Sequence, residues 1–185
     1  MMTLYTNTPS ELSVMSALQA WIMEVLSLDI NHVVAGYSNM VAQPTGNYVI
    51  MSGLSMTPLS TPWITYTDTG VLATETETIN MSMECIYQID CYGSNAADYI
   101  MTLFTLLRSD ATSEWFTAYS SANGITLDTF YTENPTRSVL TNEEAQYEDH
   151  WLLRMRLDVI QQVSTSVNFM SNAVVKPIIN VHTIS

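Results

Sequence analysis

A run of alternating side chains at residues 79–92 constrains the fold more than any other feature of this sequence. Every odd position of this segment is apolar, and most even positions carry a polar or charged side chain. Because successive side chains of a β-strand point to opposite faces, this pattern predicts a long strand with one dry and one hydrated face. The apolar odd positions are Ile79, Met81, Met83, Cys85, Tyr87, Ile89 and Cys91.

A second long strand is predicted over residues 147–163, and shorter ones over residues 31–37, 48–56 and 125–131. The long segment alternates like the first, with Leu153, Met155, Leu157 and Val159 inward and Arg154, Arg156 and Asp158 outward. Strands with one hydrated face are typical of an antiparallel sheet.

Three helices are expected between these strands. The first has Thr8 as its N-cap, Pro9 at the first helical position and Glu11 completing a capping box, and it ends between residues 27 and 29. Asn95 and Asp98 start a second helix, and a short third one covers residues 113–121. The apolar stripe of the first helix is predicted to be Leu12, Met15, Leu18, Ile22 and Val25.

The order of these elements favours an α+β fold with a largely antiparallel β-sheet and two to three helices packed on one face, because helices and strands do not alternate. Residues 1–163 form one predicted domain, and residues 164–185 form a C-terminal arm or an added edge strand. The Thr-rich segment 57–78 contains Pro58, Pro62 and Gly70, which indicates a long exposed hairpin or loop. A loop of this length usually has a function, often docking.

The charge balance argues against nucleic acid as a ligand. The chain of 185 residues has 5 Lys and Arg against 18 Asp and Glu, a formal net charge of -13, and the first basic residue is Arg108. A phosphate-binding surface needs clustered basic side chains, which this chain lacks. Charged residues are 12% of the chain, about half the share of roughly 25% in typical soluble domains. Weakly charged surfaces suit subunit assembly, and they also suit an extracellular binding protein.

The cysteine spacing and the hydropathy of the chain indicate in which cellular compartment the protein is expected. Cys85 and Cys91 lie six residues apart on one predicted strand, about 20 Å at 3.3 Å per residue, and a disulfide needs Cα atoms within roughly 7 Å. We therefore expect two buried thiols and a reducing compartment. Residues 1–5 do not resemble an export leader, and the chain has no run of 18 apolar residues, so neither export nor a membrane is expected.

Chemistry-bearing motifs are missing from the sequence. It contains no nucleophile elbow, phosphate loop, zinc-helix or calcium-loop motif, and His32, His150 and His182 lack a second ligand at metal spacing. No catalytic residue, metal or cofactor is therefore expected. Acidic neighbours occur at Glu75 with Glu77, at residues 143–144 and at residues 148–149, and solvated charge is the favoured interpretation.

Arg154 and Arg156 share one face of the second long strand and could bind an acidic neighbour. We expect this neighbour either in another subunit or within the chain, with Glu84 or Asp90 of the first long strand slightly favoured. Both outcomes make the two arginines structural.

The order of several short motifs resembles the neck or tail terminator proteins of tailed bacteriophages. These motifs are the first helix, the segment Pro44-Thr45-Gly46-Asn47-Tyr48-Val49, the strand ending Gln88-Ile89-Asp90-Cys91-Tyr92-Gly93 before a capped helix, and the late strand with Arg154. The resemblance covers roughly residues 10–163. The chain has fewer basic residues than that family suggests and a longer tail after Val163.

The resemblance implies a structural virion protein of the tail or neck, assembled in the host cytoplasm, with no catalysis. It implies a homo-oligomer, a hexameric ring that caps the tail tube protein and receives the head-tail connector. Six copies of the 20.7 kDa chain would weigh about 124 kDa and carry a formal charge of -78, six times -13, so genome DNA would pass through the lumen without specific binding. The predicted subunit or partner contacts are Arg137, Arg154, Arg156, Asp158, Glu75, Glu77 and Lys176.

The alternative is a small-ligand-binding protein or enzyme with an apolar pocket lined by Tyr and Met. Native mass distinguishes the two classes, because a ring predicts a multiple near six and a ligand-binding protein predicts a monomer.

Overall fold

A computed structural model describes residues 6–36, 44–68, 75–141 and 147–167. Within these ranges the chain forms eight strands and three helices. The strands are β1 (Thr6–Thr8), β2 (Val33–Ala35), β3 (Tyr48–Pro58), β4 (Trp63–Thr67), β5 (Thr76–Tyr92), β6 (Leu127–Thr132), β7 (Thr136–Thr141) and β8 (Tyr147–Ser166). The helices are α1 (Glu11–Leu26), α2 (Ala96–Leu106) and α3 (Asp110–Asn123).

Strands β5 and β8 form the centre of the sheet as one antiparallel ladder. The ladder runs from the pair Thr76 and Ser166 to the pair Tyr92 and His150 with no shift in register. Its 17 residues per strand span about 55 Å at the usual rise of an antiparallel strand. Both long strands predicted from alternation are confirmed, and β8 continues three residues beyond the predicted end at residue 163.

The other strands flank this ladder on its two edges. Strands β3 and β4 pair one after the other along β5, and β7, β6 and β1 pair one after the other along β8. Strand β2 extends the sheet beyond β3 as its one parallel pairing in the described ranges. The predicted class, α+β with a largely antiparallel sheet, is confirmed.

The three helices cover one face of the sheet and share a single apolar core with it. The core combines odd positions of β5 and β8 with helical residues, including Trp21 of α1 and Phe116 of α3, whose ring centroids lie 6.0 Å apart. The strand residues of this core include Cys85, Tyr87, Ile89, Cys91, Leu153, Met155, Leu157 and Val159. Full burial of each large apolar side chain contributes about 1.5–3 kcal/mol to folding.

Both cysteines lie in this core as free thiols, as predicted. Burial is the main cause that raises the pKa of Cys85 to about 11 and that of Cys91 to about 12. The reactive thiolate form is therefore scarce at neutral pH.

The start of α1 differs from the prediction. Thr8 belongs to β1 and pairs with Gln162, so it is not the N-cap. Ser10 takes that role, and its side chain accepts a hydrogen bond from the Ser13 amide. The predicted stripe is also rotated: Leu12 is 75% exposed, while Leu18 and Ile22 are buried as expected. The buried stripe is Val14, Ala17, Leu18, Trp21 and Ile22.

Smaller differences concern caps and short strands. Asn95 occupies the N-cap position of α2 but its side chain makes no capping hydrogen bond. The buried residues of α2 are Ala96, Ile100 and Leu103. The third helix is longer than predicted, and β7 is a strand that was not predicted. In the segment 57–78, β4 pairs with β5, so the hairpin alternative is correct for the described part.

Gly93 ends β5 in a conformation that other residues rarely adopt. Its φ is +93°, and a Cβ there would lie 2.5 Å from Asn47 Oδ1 and 2.7 Å from the Gly46 carbonyl oxygen. Gly124, which ends α3 with a φ of +64°, has nothing within 4 Å of such a Cβ. A substitution at Gly124 therefore adds backbone strain alone, and one at Gly93 adds both backbone strain and steric overlap.

We expect Gly93→Ala to lower the free energy of unfolding more than Gly124→Ala. The second substitution should cost about 1 kcal/mol, from the left-handed backbone alone. The first adds overlap with backbone and should cost roughly 2–4 kcal/mol. Urea denaturation of both variants measures the difference. Equal losses in the free energy of unfolding would show that the backbone around Gly93 moves to accommodate the added Cβ.

Candidate functional site

Arg156 forms the centre of a charge cluster on the sheet face opposite the helices. Its guanidinium donates to Glu84 Oε1 at 2.7 Å and to Glu133 Oε1 at 3.2 Å. The hydrogen bond to Glu84, followed by the one to Glu133, raises the pKa of Arg156 above its usual value. The expected pairing with Glu84 inside the chain is present, because the register sets Ile86 opposite Arg156 and Glu84 one diagonal step away.

Arg154 lies on the same face but has a different environment. Its side chain is exposed, and its Nε donates a long hydrogen bond of 3.4 Å to Gln88 Oε1. No carboxylate of the described residues lies within ion-pair distance of it. The other acid suggested as a partner, Asp90, bonds to His150 instead.

His150 and Asp90 form a buried pair across the central ladder. His150 Nε2 lies 2.8 Å from Asp90 Oδ1, and each residue is 6% exposed. Gln88 Nε2 donates to both carboxylate oxygens of Asp90, at 3.1 and 2.9 Å. The sequence alone shows His150 only as an isolated histidine; the register that places it opposite Tyr92 creates the contact.

Aromatic rings extend this pair along the same face. Tyr92 stacks on His150 with centroids 4.5 Å apart and on Tyr48 with centroids 4.7 Å apart. Since these rings come from β3, β5 and β8, the stack ties three strands together at one end of the sheet. A structural role for His150 follows from this packing.

Loss of the His150 side chain should therefore destabilise the fold. We expect His150→Ala to cost about 2–3 kcal/mol, because the buried carboxylate of Asp90 then keeps only Gln88 as a hydrogen-bond partner and Tyr92 loses the ring stacked on it. The matched control is Arg137→Ala, which removes an exposed pair with Asp149 and should cost less than about 1 kcal/mol. Urea denaturation measures both values, and an equal, small loss for the two variants would contradict the structural role.

The other predicted contact residues do not converge on one site. Arg137 pairs with Asp149 on the exposed surface of β7 and β8, and Asp158 accepts a 2.7 Å hydrogen bond from Ser82 Oγ. Glu75 is buried just before β5, and Glu77 is half-buried near the start of that strand. Lys176 lies outside the described residues. A role of these residues in contacts between chains stays a prediction.

The half of the sheet that the described helices leave uncovered has a surface that the sequence pattern did not predict. We call this half the arm: residues 54–68 of β3, β4 and their connection, 76–82 of β5 and 160–166 of β8. All five residues of β4 are exposed. The exposed large apolar side chains of the arm are Leu54, Met56, Leu59, Trp63, Ile64 and Tyr66. Apolar groups clustered in this way mark interaction sites. The alternation of residues 63–67 was the sequence signal for the strand that carries three of them.

A second exposed aromatic group lies on the opposite edge of the sheet. The pairing of β6 with β8 shifts between Thr129 and Tyr131, which leaves Phe130 in a bulge. Phe130 is 60% exposed and Tyr131 is 54% exposed. Bulges of this kind often redirect side chains at sheet edges.

Two surface depressions lie in the described part of the chain. One of about 290 Å³ lies between α1 and the end of α3 and includes Tyr119. Another, of about 190 Å³, lies beside β3 and β5 and includes Met56 and Tyr87. Within the described ranges, no three His, Cys, Asp or Glu side chains come together as metal ligands. None of the described helices combines the length and the apolar content required to cross a bilayer.

The described part of this acidic α+β chain exposes an apolar arm, a surface suited to contact with another protein. A family model for the phage neck terminator protein matches residues 12–182, nearly the whole chain. The chain belongs to this family, and its role is structural, in the neck of a phage tail. A comparison with curated proteins found no match.

Proposed function

We propose that this protein is the terminator ring of a phage tail: six copies cap the last ring of the tail tube and receive the head-tail connector. The observation that carries the proposal is the family match over residues 12–182. In this role the protein binds identical copies of itself, the tail tube and the head-tail connector, and it makes or breaks no covalent bond.

The arm supports the proposal physically. Its six exposed apolar side chains fall within residues 54–66, far more densely than single surface residues usually occur. Removing apolar surface from water contributes about 25 cal/mol per Å². The segment 57–78 and the C-terminal residues 164–185 are the proposed contact regions with neighbouring subunits, the tube and the connector.

The charge of the chain supports a DNA passage without specific binding. The net charge of -13 repels phosphate. Two of the few basic side chains, Arg137 and Arg156, are also paired with carboxylates of the same chain. We therefore propose that genome DNA slides through the lumen of the ring.

The location follows from this role. The protein is proposed to be a virion component that assembles in the host cytoplasm. The alternative, a ligand-binding protein or enzyme, has the depression beside Tyr87 and Met56 as its candidate pocket. The family match favours the structural role over it.

Native mass tests the ring. We expect the full chain to form a species near 124 kDa, six times 20.7 kDa, alone or after mixing with tail tubes. Native mass spectrometry and analytical ultracentrifugation measure it over a range of concentrations. A chain that stays monomeric in both conditions and binds a small molecule would support the ligand-binding alternative.

Particles that lack the protein test its place in the virion. We expect tails of uncontrolled length, or filled heads without tails, because the tube end stays uncapped. Electron microscopy of lysates from a deletion phage shows the outcome, and expression of the intact chain from a plasmid is the control that should restore infectious particles. Normal virions from the deletion phage would rule out the proposed role.

A further inference from the structure

The helix-side face of the arm carries large apolar side chains that are exposed. Met56 lies opposite the core residue Cys85, and Ile64 and Tyr66 lie opposite Ile79 and Glu77. Odd positions of β5 face the helices, and paired residues of an antiparallel sheet share a face. Met56, Ile64 and Tyr66 therefore lie on the same face as the core, beyond the part that the helices cover. Met56, Ile64 and Tyr66 are 48%, 51% and 57% exposed. We call Met56, Ile64, Tyr66 and Glu77 the arm patch.

A different patch lies on the other side of the sheet. Tyr131 pairs with Arg156 and therefore points to the outer face, where Arg154 also lies, two residues along β8. Phe130, in the bulge of β6 and next to Tyr131 in the chain, is also exposed. We call Phe130, Tyr131 and Arg154 the outer patch.

The two patches have complementary chemistry. Each combines exposed apolar or aromatic groups with one charged side chain, negative in the arm patch and positive in the outer patch. Glu77 and Arg154 each lack an ion-pair partner among the residues that the structure describes. Arg156 and Arg137, in contrast, are already paired.

Their positions also matter for assembly. The arm patch belongs to strands along the β5 edge, and the outer patch belongs to the β8 edge and to the opposite face. Two different surfaces on opposite sides of one protomer can join copies head to tail, and such contacts close into rings when the rotation allows. A two-fold dimer would instead need a self-complementary patch.

We propose that the arm patch of one copy packs on the outer patch of the next copy, with Glu77 of the first paired to Arg154 of the second. The occupant of the arm's apolar face is thus a second copy of this chain. This inference rests on the proposed ring, and it names the surfaces that would form it. Aromatic and Arg side chains are the residues that most often dominate such interfaces.

Charge reversal tests the pairing. We expect Glu77→Arg and Arg154→Glu each to weaken association of the full chain about tenfold or more, because a partner carboxylate or guanidinium then meets a like charge. The double variant should recover association to within about threefold of the unsubstituted chain. Sedimentation velocity over a concentration series measures both effects.

Matched controls keep the charge change but leave the patches intact. Glu114→Arg on α3 and Arg108→Glu after α2 reverse exposed charges elsewhere and should leave association unchanged. Equal losses in the controls, or a double variant as weak as the single ones, would overturn the pairing.

Cross-linking tests the geometry independently. We expect a mixture of Tyr66→Cys and Tyr131→Cys chains to form a covalent dimer with a short bis-maleimide, and the chain with both substitutions to form a ladder of higher species. Each single variant alone should stay uncross-linked, since the native cysteines Cys85 and Cys91 are buried. Cross-linking of Tyr66→Cys with itself would indicate a two-fold contact and overturn the proposal.

Failure of the proposed interface and failure of the proposed ring give different results. If the unsubstituted chain forms rings but neither the charge reversal nor the mixed cross-link responds, the proposed surfaces are wrong and the ring stands. If the unsubstituted chain never associates, alone or on tail tubes, both the ring and its surfaces are contradicted.

Discussion

The uninterrupted ladder between β5 and β8 is the constraint on which the rest of the structure depends. Its 17 paired positions set which side chains meet, because a slip of one residue would move every side chain to the other face. The same register buries Cys85 and Leu157 under the helices and brings Arg156 to Glu84 and His150 to Asp90 on the other face. Core and charge cluster are thus two consequences of one pairing.

The ladder is longer than the layer of helices that covers it, and this mismatch connects fold with function. Near Ile89 and Leu153 the helices complete an apolar core. Toward Glu77 and Thr165 the same strands continue without that cover, and β4 adds exposed apolar groups. A chain that folds alone gains little from such an extension. A subunit gains a contact surface, which agrees with membership of the phage neck terminator family.

Much of the fold was predictable from local pattern, and the site was less so. Alternation identified both long strands, and in the structure β5 and α3 are each followed by a glycine with positive φ, Gly93 and Gly124. The N-cap of α1 was misplaced because Thr8 and Ser10 both suit a cap, and pairing of Thr8 with Gln162 decided between them. The buried stripe was misplaced because α1 is apolar on more than one side, so that Leu12 and Val14 both fit a helical period.

Sequence by itself determined the class of fold, the one-sided sheet, the acidic surface and the lack of known catalytic motifs, because these follow from composition and from periodicities of two and 3.6 residues. Tertiary structure decided which charges are paired, as Arg156 is and Arg154 is not in the described part of the chain. It also decided which apolar side chains remain exposed on the arm. Both depend on contacts between residues far apart in the chain, such as Glu84 and Arg156, 72 positions apart, whose alignment no local pattern specifies.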